Sequence, residues 1–147
     1  MKFFTMMFFL ITFAFSGNVL ASANGNDLQV EWRRIYNQQY EIDNRLSNIY
    51  DISPDDCNAV SKLGRHLMSD LYTKGGSSLL KTFYSLENYN HSHSKESMLV
   101  DFNKLFIIDI INNSDNFKVN NKEQILKNVN FYANQARSIC SSKIKSF

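Results

Sequence analysis

The sequence predicts an all-α domain, a small bundle of four to five helices with one disulfide. Three observations carry that expectation. Apolar residues recur at alternating steps of three and four, the spacing of one helix face. The only proline, Pro54, opens a helical pattern instead of interrupting one. Two cysteines, Cys57 and Cys140, stand in a chain whose first residues read as an export signal, a context in which paired cysteines oxidise.

The first helical segment is expected from about Asp27 to Tyr50. Leu28, Trp32, Ile35, Ile42, Leu46 and Ile49 form its apolar seam, with Gln39 filling one gap, and Asp27 suits the N-cap. The second begins at Ser53-Pro54-Asp55-Asp56, which combines a capping serine, a proline at the first helical position and two acids in the first turn. Cys57, Val60, Gly64, Leu67 and Leu71 share one face of it, and Gly75-Gly76 should end it. A shorter segment from about Ser78 to Asn88 shows Leu79, Leu80, Phe83 and Leu86 as its apolar face, and a polar loop follows to Ser94.

The fourth segment, about Lys95 to Ile111, is apolar nearly all round and therefore reads as the central, buried helix. Its stretch from Leu105 to Ile111 is rich enough in isoleucine to suit a strand, but no partner strand is evident. Phe117 and Val119 should tuck into the core from the loop after it. Asn121 with Gln124 three residues later opens the fifth segment, whose seam runs through Ile125, Val129, Tyr132, Ala136 and Ile139. Antiparallel packing of the second and fifth segments would bring Cys57 and Cys140 to the same end of the bundle.

A segment of another kind precedes these helices. Met1-Lys2, the apolar run Phe3–Phe15 and the tripeptide Ala21-Ser22-Ala23 compose a secretory signal peptide, residues 1–23. The run is short for a membrane span, which needs about 20 apolar residues. Cleavage after Ala23 leaves one helical domain, Asn24–Phe147, secreted or periplasmic, with no stable membrane insertion. Without Lys2 the 16 basic residues become 15 against 14 acids, and the charges are interspersed, so the basic stripe of a nucleic-acid binder is missing.

Each candidate for chemistry has a plainer structural role. Cys57 occupies a helix first turn, where a thiol is activated, but Asp55 and Asp56 oppose a thiolate and His66 lies about 13 Å further along the helix. His91 and His93 form an H-x-H pair that would need further ligands to hold a metal. Asp109 breaks the apolar fourth segment and needs a partner if buried. The sequence carries no phosphate loop, zinc-protease motif or nucleophile elbow. No catalytic, metal or cofactor site is therefore expected. Trp32, Tyr36 and Tyr40 form an aromatic stripe that suits a protein partner, with Arg33, Arg34 and Arg45 able to frame it. The expected function is thus a non-enzymatic protein-binding domain of the effector or immunity type. The alternatives are a carrier holding a small apolar ligand in the bundle core, and an enzyme using Asp109, His66 or the His91/His93 loop.

Overall fold

The computed structural model describes residues 25–145, with side chains from residue 33 onward. The expected signal peptide, Leu28 and the Trp32 side chain lie outside the described residues. Five α-helices follow in order: α1 Gly25–Asn48, α2 Pro54–Lys74, α3 Gly76–Ser85, α4 Lys95–Asn112 and α5 Lys122–Ser142, with a 3-10 turn Ser114–Phe117 between the last two. There is no strand among the described residues, so the isoleucine-rich run of α4 is helical.

The local signals act largely as their chemistry requires. The Ser53 side chain accepts from the Asp56 backbone N–H, and the Asp56 carboxylate takes the Ser53 N–H in return, closing both ends of a capping box. Asn121 Oδ1 accepts from the Gln124 N–H at 2.7 Å and starts α5. Gly75 alone turns the chain between α2 and α3. It holds φ at 85°, a conformation L side chains resist, and its N–H bonds the Asp70 and Leu71 carbonyls. Gly76 is already the first residue of α3, so the connection is shorter than the paired glycines suggest.

Three details depart from the sequence reading. Helix α1 begins at Gly25, which places Asp27 inside it and not at its cap. Ile49 is 42% exposed just past the end of α1, while Tyr50 and Ile52 turn inward in its place. A 3-10 turn occupies part of the segment after α4, and it carries Phe117 edge-on to the Tyr132 ring.

The core is one cluster. Ile35, Ile42 and Leu46 of α1, Val60, Leu67 and Met68 of α2, Phe83 of α3 and Tyr132 of α5 surround α4, which contributes Phe102, Phe106, Ile107, Ile108 and Ile110. Helix α4 is central, as an all-round apolar helix must be. The most extensive packing in the molecule joins α2 to α5. These two run antiparallel: Cys57 bonds Cys140 with Cα atoms 5.5 Å apart, Ser61 Oγ donates to the Ala133 carbonyl, and Tyr72 meets Asn128 at the opposite end. No helix among the described residues is long and apolar enough to cross a membrane.

Gly64 makes the close approach of α2 and α5 feasible. A Cβ there would fall 2.5 Å from the Ala136 Cβ and 3.4 Å from Tyr132. Both clashing atoms would be fixed to helix backbone, so relief requires the helices to separate. Gly64→Ala is expected to destabilise by about 1–3 kcal/mol, the usual cost of overpacking. Denaturant unfolding of Gly64→Ala beside Gly64→Ala/Ala136→Gly checks it, since the second change should restore most of the loss.

Candidate functional site

Two features outside the apolar core draw polar chemistry together. The first is a buried cluster where α1 faces α4. Ser97, Asp101 and Lys104 follow the helical spacing i, i+4, i+7 and are all buried, at 0%, 0% and 3% exposure. Arg45 of α1 grips Asp101 as a fork, Nε to Oδ2 at 2.9 Å and Nη2 to Oδ1 at 2.8 Å. The Tyr50 hydroxyl donates to Oδ2 and sits 3.0 Å from Ser97 Oγ. Lys104 Nζ lies 5.3 Å from the centre of the Phe83 ring and has no ion pair among the described residues. His91 enters from the loop after α3, its Nδ1 3.4 Å from Ser97 Oγ and 3.7 Å from Asp101 Oδ1.

The surroundings set the protonation preferences. The Asp101 bond holds the Arg45 guanidinium even more firmly charged than usual. Burial, aided by the Asp101 carboxylate, pushes the Tyr50 phenol up to about 12, so it remains a donor. Burial pulls the Lys104 ammonium below its ordinary range, with Asp101, Glu87 and Glu41 opposing and Arg45 reinforcing. The same cluster does not form a serine relay. Ser97 Oγ and Asp101 Oδ1 both face Nδ1 of His91, whereas a relay places the carboxylate and the hydroxyl on opposite ring nitrogens. Ser97 is also fully buried, out of reach of a substrate.

The second feature is an open cleft of about 400 Å³ between α2 and α4. Ala59, Leu63 and His66 form one wall, and Glu96, Leu99, Val100 and Asn103 form the other. Asn103 Oδ1 is buried there with no donor. Both walls therefore expose residues at helical spacing, apolar in the middle and polar at the rim.

The sequence-predicted residues are distributed unevenly over these features. Cys57 and Cys140 are joined and buried. The aromatic stripe divides: Tyr36 is half-buried against the core and Tyr40 is 79% exposed. The arginines divide too. Arg33 is exposed, Arg34 pairs with Glu87 and lies over Tyr84, and Arg45 is committed to Asp101, so it frames no surface. His66 is exposed and pairs with Asp70, and His91 and His93 are both exposed, with His91 Nδ1 approaching Ser97 and Asp101. Asp109 finds the Tyr132 hydroxyl at 2.7 Å and the Asn113 amide at 3.2 Å. Burial raises its carboxyl above the ordinary range, and the Tyr132 bond offsets only part of that rise. Asp109, His66 and His91 thus bond to different partners and share none.

Sequence reasoning missed Asp101, Lys104 and the cleft. The only available signal was the polar stripe Ser97–Asp101–Lys104 through an otherwise apolar helix. Compared with protein-family models, curated proteins and solved structures, the chain matches none.

Proposed function

We propose that this protein is an exported, non-enzymatic domain that binds another protein, and that the α2–α4 cleft receives an amphipathic helix of that partner. The cleft is the observation that carries the reading. Ala59, Leu63 and His66 lie at steps of four and three, and Glu96, Leu99 and Asn103 do the same across from them. A helix that projects apolar side chains at that spacing fits between such walls. The exposed Glu96 adds a place for a cation at the rim. Export is supported by the signal-like first residues and by the buried disulfide, which suits an oxidising compartment. Tyr40 offers a second surface on the outer side of α1.

The test is site-specific photocrosslinking in the producing cell and in extracts of its neighbours, with the probe at Ala59 or at Tyr40. Both positions are exposed, so neither probe disturbs the core. One protein captured from Ala59, through a residue on a helix of that protein, is the expected result. Its origin then separates an inhibitor of a co-produced toxin from an effector acting elsewhere. Capture from Tyr40 alone would move the interface to the aromatic side of α1 and overturn the cleft reading.

A small apolar ligand is the second reading, favoured by Ala59, Leu63, Leu99 and Val100 in the same cleft. The volume falls within the usual range for ligand sites, roughly 300–1,000 Å³. Core positions are occupied by Phe83, Phe102, Phe106 and Tyr132, so such a ligand belongs in the cleft and not in the bundle centre. Blank crosslinking at both positions, with a co-purified small mass in native mass spectrometry, would favour it.

A further inference from the structure

The connection between α3 and α4 is polar, and its middle is tied down by two neighbouring residues. The Ser92 N–H donates to Ser97 Oγ at 3.1 Å, and His91 Nδ1 approaches Ser97 Oγ and Asp101 Oδ1. The Tyr89 ring meets His91 edge-on at 6.0 Å, and its phenol interacts with Glu96. We propose that residues 88–94 form a pH-sensitive flap, docked while His91 is neutral and released when the ring gains a proton.

Charge balance beneath the flap is the reason. The charges acting on the His91 ring are Asp101 and Lys104 of α4 and Arg45 of α1. Tyr50, from the connection after α1, completes the titratable groups in the cluster and stays neutral. The Asp101 carboxylate is already matched: Arg45 occupies both of its oxygens and Tyr50 shares one of them. Lys104 brings a second cation, only 3% exposed and with no ion pair of its own among the described residues. A protonated His91 would be a third cation beside the Asp101 carboxylate, because Glu87 and Glu41 act on Lys104 and are not among the charges acting on the His91 ring. Arg45 and Lys104 are held by helices, whereas His91 sits on a loop with its ring 29% exposed. The loop is the part able to move.

The direction of the imidazole preference agrees. Burial depresses it first, Asp101 raises it, and Arg45 and Lys104 lower it, with a net shift below the ordinary value. Docking is then fully favoured above the ordinary imidazole pKa of about 6.5. It weakens as pH falls from there through the depressed docked value, because the released ring binds a proton more readily. Release uncovers Ser97 and the Tyr50–Asp101 pair and frees Tyr89 from Glu96. This inference does not depend on what fills the α2–α4 cleft.

Histidine ring resonances and backbone amide exchange, followed by NMR on the intact domain from about pH 8 to about pH 5, test it across the ordinary imidazole range. His91 should titrate below the ordinary imidazole value of about 6.5. Protection of the 88–94 amides, corrected for intrinsic exchange, should fall as pH drops. The fall should be about tenfold for each unit by which the docked ring lies below the free one. His91→Gln should abolish the pH dependence with the loop still docked. Lys104→Met, close in volume, should move release to lower pH. Titration of His91 above the ordinary imidazole value of about 6.5 would overturn the proposal. So would protection that rises on acidification, a pH-dependent loss that survives His91→Gln, or an unchanged midpoint in Lys104→Met.

Discussion

Reducing the Cys57–Cys140 bond is expected to lower the stability of the folded domain by about 4–5 kcal/mol on the chain-entropy account. The two residues are 83 apart, so the closed loop contains nearly all of α2, the whole of α3 and α4, and most of α5. Opening it returns that much conformational freedom to the unfolded chain while leaving native contacts nearly intact. Both sulfurs are buried where α2 meets α5, and the freed thiols would remain there as small apolar groups. Small domains commonly hold only about 5–15 kcal/mol in total, so the reduced protein should be close to marginal. Urea unfolding of the oxidised protein, the reduced protein and a Cys57→Ala/Cys140→Ala variant measures the difference. The reduced and variant curves should lie together at lower denaturant. A loss below about 1 kcal/mol would mean that the unfolded chain already keeps α2 and α5 close, as residual structure can do.

The reach of the sequence is clearest in this pair. Two cysteines, a helix start at Ser53 and a helix seam ending near Cys140 were enough to place both sulfurs at one end of an antiparallel pair. Each of those signals is local, and local chemistry is what a sequence displays. The Ser53 and Asn121 caps were legible for the same reason. Ile49 continues the seam in sequence but falls just past the helix end, where the chain leaves the helical period and Tyr50 and Ile52 take over burial. Trp32, Tyr36 and Tyr40 shared a stripe on paper, yet the described members diverge: Tyr36 leans on the core and Tyr40 stands in solvent. The cleft was invisible because Leu63 and Leu99 carry the same apolar signature as residues that are covered. Asp101 was invisible for a different reason. Its partner Arg45 lies 56 residues away, and no periodicity within α4 says which helix will face it.

Removing the Asp101 carboxylate should cost nearly as much as opening the disulfide. Asp101→Ala is expected to destabilise by about 3–5 kcal/mol, the usual penalty for breaking a buried ion pair by deleting one partner. The Arg45 guanidinium, its side chain only 19% exposed, would lose both fork bonds. Tyr50 would lose its carboxylate acceptor and keep only Ser97 Oγ, and Lys104 would lose the foremost of the negative charges that offset its burial, with Glu87 and Glu41 remaining. The loss therefore measures stranded groups more than the attraction itself. Replacing both partners separates these contributions. Asp101→Leu/Arg45→Met strands neither charge of the pair, and it should be destabilised by much less than the sum of the two single changes. Denaturant unfolding of the two single variants and the double variant gives the coupling directly. If the double variant matched or exceeded the wild type, the pair would not be retained for stability. Its position beneath residues 88–94 would then explain its presence better: burial, with Arg45 and Lys104 set against Asp101, makes a proton on His91 unwelcome.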